Sequence, residues 1–285
     1  MSGFSDDIML YSVSGKVATI TFNRPKQLNA IVDRTGSLLQ ELVAKANDDP
    51  AVHVILLTAS KDSKGFCGGY DLYEYAEKKG SNAGYQAEMP WDPVKDYQNM
   101  MKNTKSFMSL WRSLKPVICK VWGAAVGGGS DIALCCDLIV CGESARFGYP
   151  PARVWGVPTT SMWVYRLGAE RAKRLMLTGD VIDGMTAHRI GLVTECAPES
   201  DLDRATDALV QKVAALPINQ LIMHKLVVNQ TYDNMGLGST QTLATFLDGV
   251  ARHTPEGVRF KQRAEAVGWK AAVAERDGPK RKSKL

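Results

Sequence analysis

The 285-residue chain is long enough to bury one sizeable core with a smaller helical unit beside it, and 45% hydrophobic with 23% charged residues is an ordinary globular balance. No apolar run approaches the roughly 18 residues of a membrane span, and the polar, acidic stretch from Met1 to Asp7 lacks the pattern of a secretory signal, so a cytoplasmic protein is expected. The net charge of +5 gathers partly in Lys280, Arg281, Lys282 and Lys284, with no basic, aromatic-interleaved face along the body, which argues against nucleic acid as a partner.

Ile8 to Val13 and Val17 to Phe22 read as two strands around a tight turn at Ser14-Gly15. A helix is expected from Asp33 to Ala46, with Leu38, Leu39, Leu42, Val43 and Ala46 on one face, stopped by Asn47-Asp48-Asp49-Pro50. Val52 to Thr58 is a buried strand that feeds a glycine-rich loop, Gly65-Phe66-Cys67-Gly68-Gly69. Residues 78 to 98 break all periodicity and read as a long loop. A helix from Lys105 to Leu114 carries Phe107, Met108, Trp111 and Leu114 as core residues and, second, as candidate pocket lining. The strand Val117 to Trp122 then enters a second glycine-rich segment, Gly123 to Asp131. Helix, buried strand, glycine turn and a helix-opening aspartate (Asp71, then Asp131) make a loose repeat. Beyond Asp180 the composition is helical, with helices expected at Ala205 to Leu216, Asn219 to Asn229, Ser239 to Ala251 and Pro255 to Glu275.

The six cysteines lie mostly in apolar runs without paired C-x-x-C spacing, which suits reduced, buried thiols. The four histidines, His53, His188, His224 and His253, fall away from both glycine turns, so neither a metal site nor a catalytic triad is expected. A strand ending in glycines that open a helix points unpaired N–H groups at one spot, with the positive end of the helix dipole behind them. Gly127-Gly128-Gly129 continues as Ser130-Asp131-Ile132, which fits neither G-x-G-x-x-G nor a phosphate loop needing Gly-Lys-Ser/Thr. Glycines for close helix packing are the remaining alternative for this turn alone.

Several segments in order resemble the crotonase superfamily, that is, the enoyl-CoA hydratase/isomerase family: Asn23 to Ala30, Gly65 to Leu72, Lys115 to Ile118 followed by Gly123 to Gly129, Cys136 to Ile139, Leu175 to Asp180 and Ala187 to Val193. The resemblance implies an α/β fold, a spiral of ββα repeats with a C-terminal helical region. Residues 1–200 would form the core with an acyl-CoA site, and 201–285 a helical region that assembles homotrimers or hexamers. It implies backbone N–H groups of Cys67 and Gly128 as an oxyanion hole, each donor worth about 10²–10³ in rate. Lys26, Leu28, Gly68, Gly69, Tyr70, Asp71, Leu72, Gly127, Tyr149, Pro150 and Pro151 would hold coenzyme A and the acyl group, a solvated side chain being the alternative for Lys26. Coenzyme A would be part of the substrate, with no separate cofactor. The terminal Ser283-Lys284-Leu285 matches a peroxisomal address, meaningful only in a host with peroxisomes.

The family's hydratases use two glutamates. Asp131 stands at the first position, the expected acid/base; the second falls on Pro151 or Ala152, neither of which carries a proton. Glu74, Glu77, Asp92, Tyr149, Arg153, Thr159 and Thr160 are the candidate substitutes. The loss leaves open a lyase or isomerase acting through Asp131, a non-catalytic acyl-CoA-binding protein, or a thioester or ring-opening hydrolase suggested by Trp91, Trp122, Tyr149 and Trp155.

Overall fold

The computed structural model describes residues 4–5, 7–77 and 90–278; the 78–89 part of the long loop, the Glu77 side chain and the terminal Ser283-Lys284-Leu285 lie outside them. Strand β1 (Phe4–Ser5) pairs antiparallel with β2 (Met9–Ser14), which turns into β3 (Val17–Phe22). Gly15 sits at φ +55°, the conformation a two-residue hairpin turn needs. The chain crosses through α1 (Asp33–Asp48), whose Leu38, Leu39, Leu42, Val43 and Ala46 are buried as the periodicity predicts, to β4 (Val54–Ala59), parallel to β3 with Val17 opposite Val54.

The next helix, α2 (Pro93–Arg112), begins well before the expected Lys105. Asp92 caps it, accepting the Val94 and Lys95 N–H groups at 3.1 and 3.0 Å, and Pro93 fills a position whose missing N–H costs nothing. Asp92 is therefore a helix cap rather than a substitute acid. After α2 come β5 (Val117–Val121), β6 (Ala124–Val126), α3 (Gly128–Leu134), β7 (Leu138–Gly142), β8 (Arg146–Gly148), α4 (Met162–Thr178), β9 (Val181–Asp183), α5 (Gly184–Arg189) and β10 (Glu195–Ala197). Helix α4 is absent from the sequence reading; Gly168 inside it, at φ +74°, interrupts the helical geometry.

The strands form two sheets, in order β1-β2-β3-β4-β5-β7-β10 and β6-β8-β9. A long strand of the first hands the chain to a short strand of the second: β5 to β6 through Gly123, and β7 to β8. This is the expected ββα repeat. The central parallel strands are buried on both faces, as parallel strands are: Ile55, Leu57, Cys119 and Val121 face the main core under α1 to α3, while Val54, Ile118 and Val140 meet Leu202, Val210 and Ala214 of α6 (Leu202–Ala214).

The chain ends in α7 (Ile218–Asn234), α8 (Leu237–His253), α9 (Pro255–Val267) and α10 (Trp269–Asp277). The single helix expected from Pro255 to Glu275 is broken at Gly268, which sits at φ +85°. α8 packs on α2, α9 on the π-helical turn Tyr73–Glu77, and α10 on the 3₁₀ turn Pro150–Arg153, so the last helices fold back over the core of their own chain. Asp71 thus precedes a single π turn rather than opening an α-helix. Among the described residues no helix is long and apolar enough to cross a membrane and no group of metal-ligating side chains occurs.

Two glycines of these helices should respond oppositely to a methyl group. At Gly129 a Cβ would collide with the Cys67 carbonyl, a backbone group that cannot rotate away; at Gly238 it would meet nothing within 4 Å. Gly129→Ala is expected to cost about 1–3 kcal/mol, and Gly238→Ala to add about 0.4–1 kcal/mol by restricting the unfolded chain. Urea unfolding checks both; equal shifts would show that α3 does not press on the Cys67 loop as described.

Candidate active site

The first glycine loop is held from behind by Asn29. Its buried amide donates to Ser63 Oγ, Gly65 O and Phe66 O at 3.1, 3.2 and 2.9 Å, and its Oδ1 accepts the Arg24 N–H at 2.9 Å. Leu28 and Asn29 both adopt left-handed conformations, at φ 51° and 54°, which a non-glycine pair holds only when surrounding bonds fix it. Arg24 donates to Ala30 O and to Asp71 at 3.1 Å, so Asp71 braces the loop rather than facing a ligand. Lys26 is exposed, and Leu28 lies under Gly68, accepting its N–H at 2.9 Å.

The structure corrects the Cys67 expectation. Its N–H is bonded to Ala124 O at 2.8 Å in a bridge to β6, so it has no proton to offer a ligand oxygen. Its thiol donates to Asn29 O at 3.2 Å, and burial pushes the group up to about 12, leaving it a thiol at neutral pH. The Gly69–Tyr70 peptide is placed differently. Gly69 O accepts the Ile31 N–H at 2.8 Å, and in a trans peptide the N–H points opposite to the C=O, so the Tyr70 N–H is directed away from Ile31. On that side lies the start of α3: a Cβ on Gly69 would stand 3.4 Å from the Gly128 nitrogen.

Four residues into the same short helix, Asp131 is 2% exposed and accepts the Thr160 hydroxyl at 3.0 Å. Burial raises its carboxyl well above the usual carboxylate range, helped by the charge of Asp248 and opposed by the Thr160 hydrogen bond. The group therefore holds its proton where an exposed aspartate would have lost it.

One cavity gathers these parts. Gly68, Gly69, Tyr70, Leu72, Gly127, Gly128, Asp131, Tyr149, Pro150 and Pro151 all line it, as does Thr159; Cys67, Lys26, Leu28 and Asp71 do not. Trp155 lines it as well and packs on Phe260 at 4.8 Å between ring centres. Of the other candidate substitutes for the second acid, Arg153 pairs with Asp277 at 3.0 Å, Glu74 sits in the π turn outside the cavity wall, and Thr160, which donates to Asp131, does not line the cavity. Trp122 lies outside the cavity, its indole donating to Ser63 O at 3.2 Å, and Trp91 donates to Asp96 at 3.0 Å. None of the four histidines lines it.

Sequence reasoning missed the opposite wall. Met100 of α2, Asp248 and Arg252 of α8, and Trp269, Val273 and Arg276 of α10 complete the cavity, the α8 and α10 residues coming from segments more than 100 residues beyond the glycine loops. The signal available was the polar spacing along α8.

An α/β spiral with two glycine turns, a buried carboxyl and a common cavity defines the crotonase class of enzyme folds. A family model described as enoyl-CoA hydratase/isomerase matches residues 12–254, and the chain belongs to that family. It is 32% identical over 268 residues to a protein of Rhizobium meliloti named "Probable enoyl-CoA hydratase", covering 91% of this chain and 88% of the relative. It is 30% identical over 226 residues to "Probable enoyl-CoA hydratase, mitochondrial" of Dictyostelium discoideum, covering 77% and 74%. The crystal structure of an enoyl-CoA hydratase from Mycobacterium smegmatis superimposes with a TM-score of 0.89 at 46% identity, covering 95% of this chain and 93% of that one.

Proposed function

We propose that the chain hydrates a 2-enoyl-coenzyme A thioester, or runs the reverse dehydration, with Asp131 as its proton carrier. The observation that carries the reading is the placement of a proton-holding carboxyl, Asp131, on the same short helix as the Gly128 amide and in the same cavity. The Gly128 N–H, with the positive end of α3 behind it, and the Tyr70 N–H, directed to the same side, would hold the thioester oxygen as negative charge develops on it. Tyr70 takes the place first assigned to Cys67.

In this mechanism water adds at C3, the electron pair of the double bond moves through C2 onto the thioester oxygen, and the enolate collapses by taking the Asp131 proton at C2. The proton released by the added water returns to Asp131, so one carboxyl closes the balance without a second acid on the Pro150–Arg153 turn. The exposed apolar side chains Leu226, Val227 and Val228 of α7 and Leu243, Phe246 and Leu247 of α8 support assembly into trimers or hexamers through these helices.

The test is product analysis on a panel of 2-enoyl, 3-enoyl and saturated acyl-CoA thioesters. The expected product is the 3-hydroxyacyl thioester from the 2-enoyl compound. A shifted double bond would make Asp131 an isomerase base, free coenzyme A would make the chain a hydrolase, and binding without product would make it an acyl-CoA carrier.

A further inference from the structure

Helix α8 is built inside out. Gln241, Thr245, Asp248 and Arg252 recur on one helical face and are all buried, while Leu243, Phe246 and Leu247 on the other side are exposed. The first two polar residues are met by protein: Gln241 donates to Thr160 O at 2.9 Å, and the Thr245 and Thr104 hydroxyls lie 3.2 Å apart. Asp248 and Arg252 line the cavity that also holds Asp131.

The Arg252 guanidinium bonds Asp248 through one nitrogen and Asp96 through another, the latter at 2.5 Å, while Asp248 Oδ1 accepts the Val157 N–H at 2.9 Å. The side chains of Asp248 and Arg252 are only 7% and 6% exposed. Charges this deep are costly to desolvate, and apolar residues of similar volume would brace α8 against α2 at lower cost. An alkyl chain in the cavity would set hydrocarbon against these polar groups; an oxygen on the ligand would offer them a hydrogen bond.

We propose that the Asp248–Arg252 end of the cavity recognises a hydroxyl or carbonyl oxygen on the acyl group, so that the site selects acyl thioesters oxygenated away from the thioester over plain alkyl ones. This deepens the acyl-coenzyme A reading and rests on it. Asp248 and Arg252 are then specificity residues, and Asp96 holds Arg252 in place.

Calorimetric titration of the intact protein with hexanoyl- and octanoyl-CoA, and with counterparts carrying one hydroxyl or oxo group walked from C4 to the chain end, decides the matter. At one position the oxygenated ligand should bind at least about tenfold more tightly than its alkyl parent, the size of one good hydrogen bond. In Asp248→Leu and Arg252→Met that ratio should fall toward one. If either variant does not fold, the ratio in the unsubstituted protein decides alone. Alkyl parents that bind as tightly as every oxygenated ligand overturn the proposal while leaving the acyl-thioester reading intact. Absence of binding by both series overturns that reading and the proposal together.

Discussion

Exchanging Asp131 for asparagine is expected to lower turnover of a 2-enoyl thioester by about 10²–10⁴, the usual contribution of a placed acid/base. The amide keeps the volume and can still accept the Thr160 hydroxyl, which now bonds Asp131 at 3.0 Å, so ligand binding should change far less than turnover. The pH profile separates a proton donor from a packing residue. Burial raises the Asp131 carboxyl well above its ordinary range, and a general acid works only while protonated. Activity of the unsubstituted protein should therefore fall as pH rises through that raised value, and the residual activity of the variant should lack this alkaline limb. The stability effect has a definite sign too. Between the ordinary and the raised value the unfolded chain has lost the proton and the folded one keeps it, so stability declines with pH across that window. Asp131→Asn should remove this decline and be the more stable form at its upper end. Turnover reduced less than tenfold, with the alkaline limb retained, would put the proton on another group.

The fold was legible because its signals are local. The hairpin, α1 and the strand-to-glycine turns depend on periodicity and on glycines that neighbouring residues announce. The start of α2 was legible in principle, since Asp92-Pro93 is a cap followed by a first-turn proline, but the aperiodic stretch before it, broken by Gly80, Gly84 and Pro90, masked the pattern. Which amide faces the cavity was not legible. That choice depends on one bridge, Cys67 to Ala125, and on the Gly69 carbonyl turned to Ile31, both made between segments far apart in sequence. The Asp248–Arg252–Asp96 cluster was hidden for a similar reason: Arg252 and Asp96 are 156 residues apart, and nothing near either names its partner. Only the reversed amphipathicity of α8 marks it. A helix that exposes Leu243, Phe246 and Leu247 while burying Asp248 and Arg252 is doing something other than covering a hydrophobic core.

The largest stability effect is expected at Lys225 of α7. Its ammonium donates to Asp137 Oδ2 at 2.7 Å and to the Leu110 and Lys115 carbonyls at 3.1 and 3.2 Å; the same Asp137 oxygen accepts the Val117 N–H at 2.7 Å. This one pair ties α7 to the end of α2 and to the starts of β5 and β7. Burial pulls Lys225 below its ordinary range and pushes Asp137 above its own, in each case partly offset by the partner's charge, so each depends on the other to remain charged. Lys225→Met keeps the stem but leaves Asp137 buried without its cation, and should cost about 3–5 kcal/mol, a large share of the roughly 5–15 kcal/mol that holds a domain folded. With Lys225 gone the folded-state value of Asp137 rises further. Above the ordinary aspartate range the unfolded chain is then ionised while the folded one is not, so the loss should be greater at pH 8 than at pH 5. Adding Asp137→Asn removes the stranded charge, and the double variant should recover part of the loss and most of the added pH dependence. Urea unfolding of the single and double variants at both pH values closes the cycle. Additive costs would mean that the two side chains stabilise the fold independently, each through its own backbone hydrogen bonds.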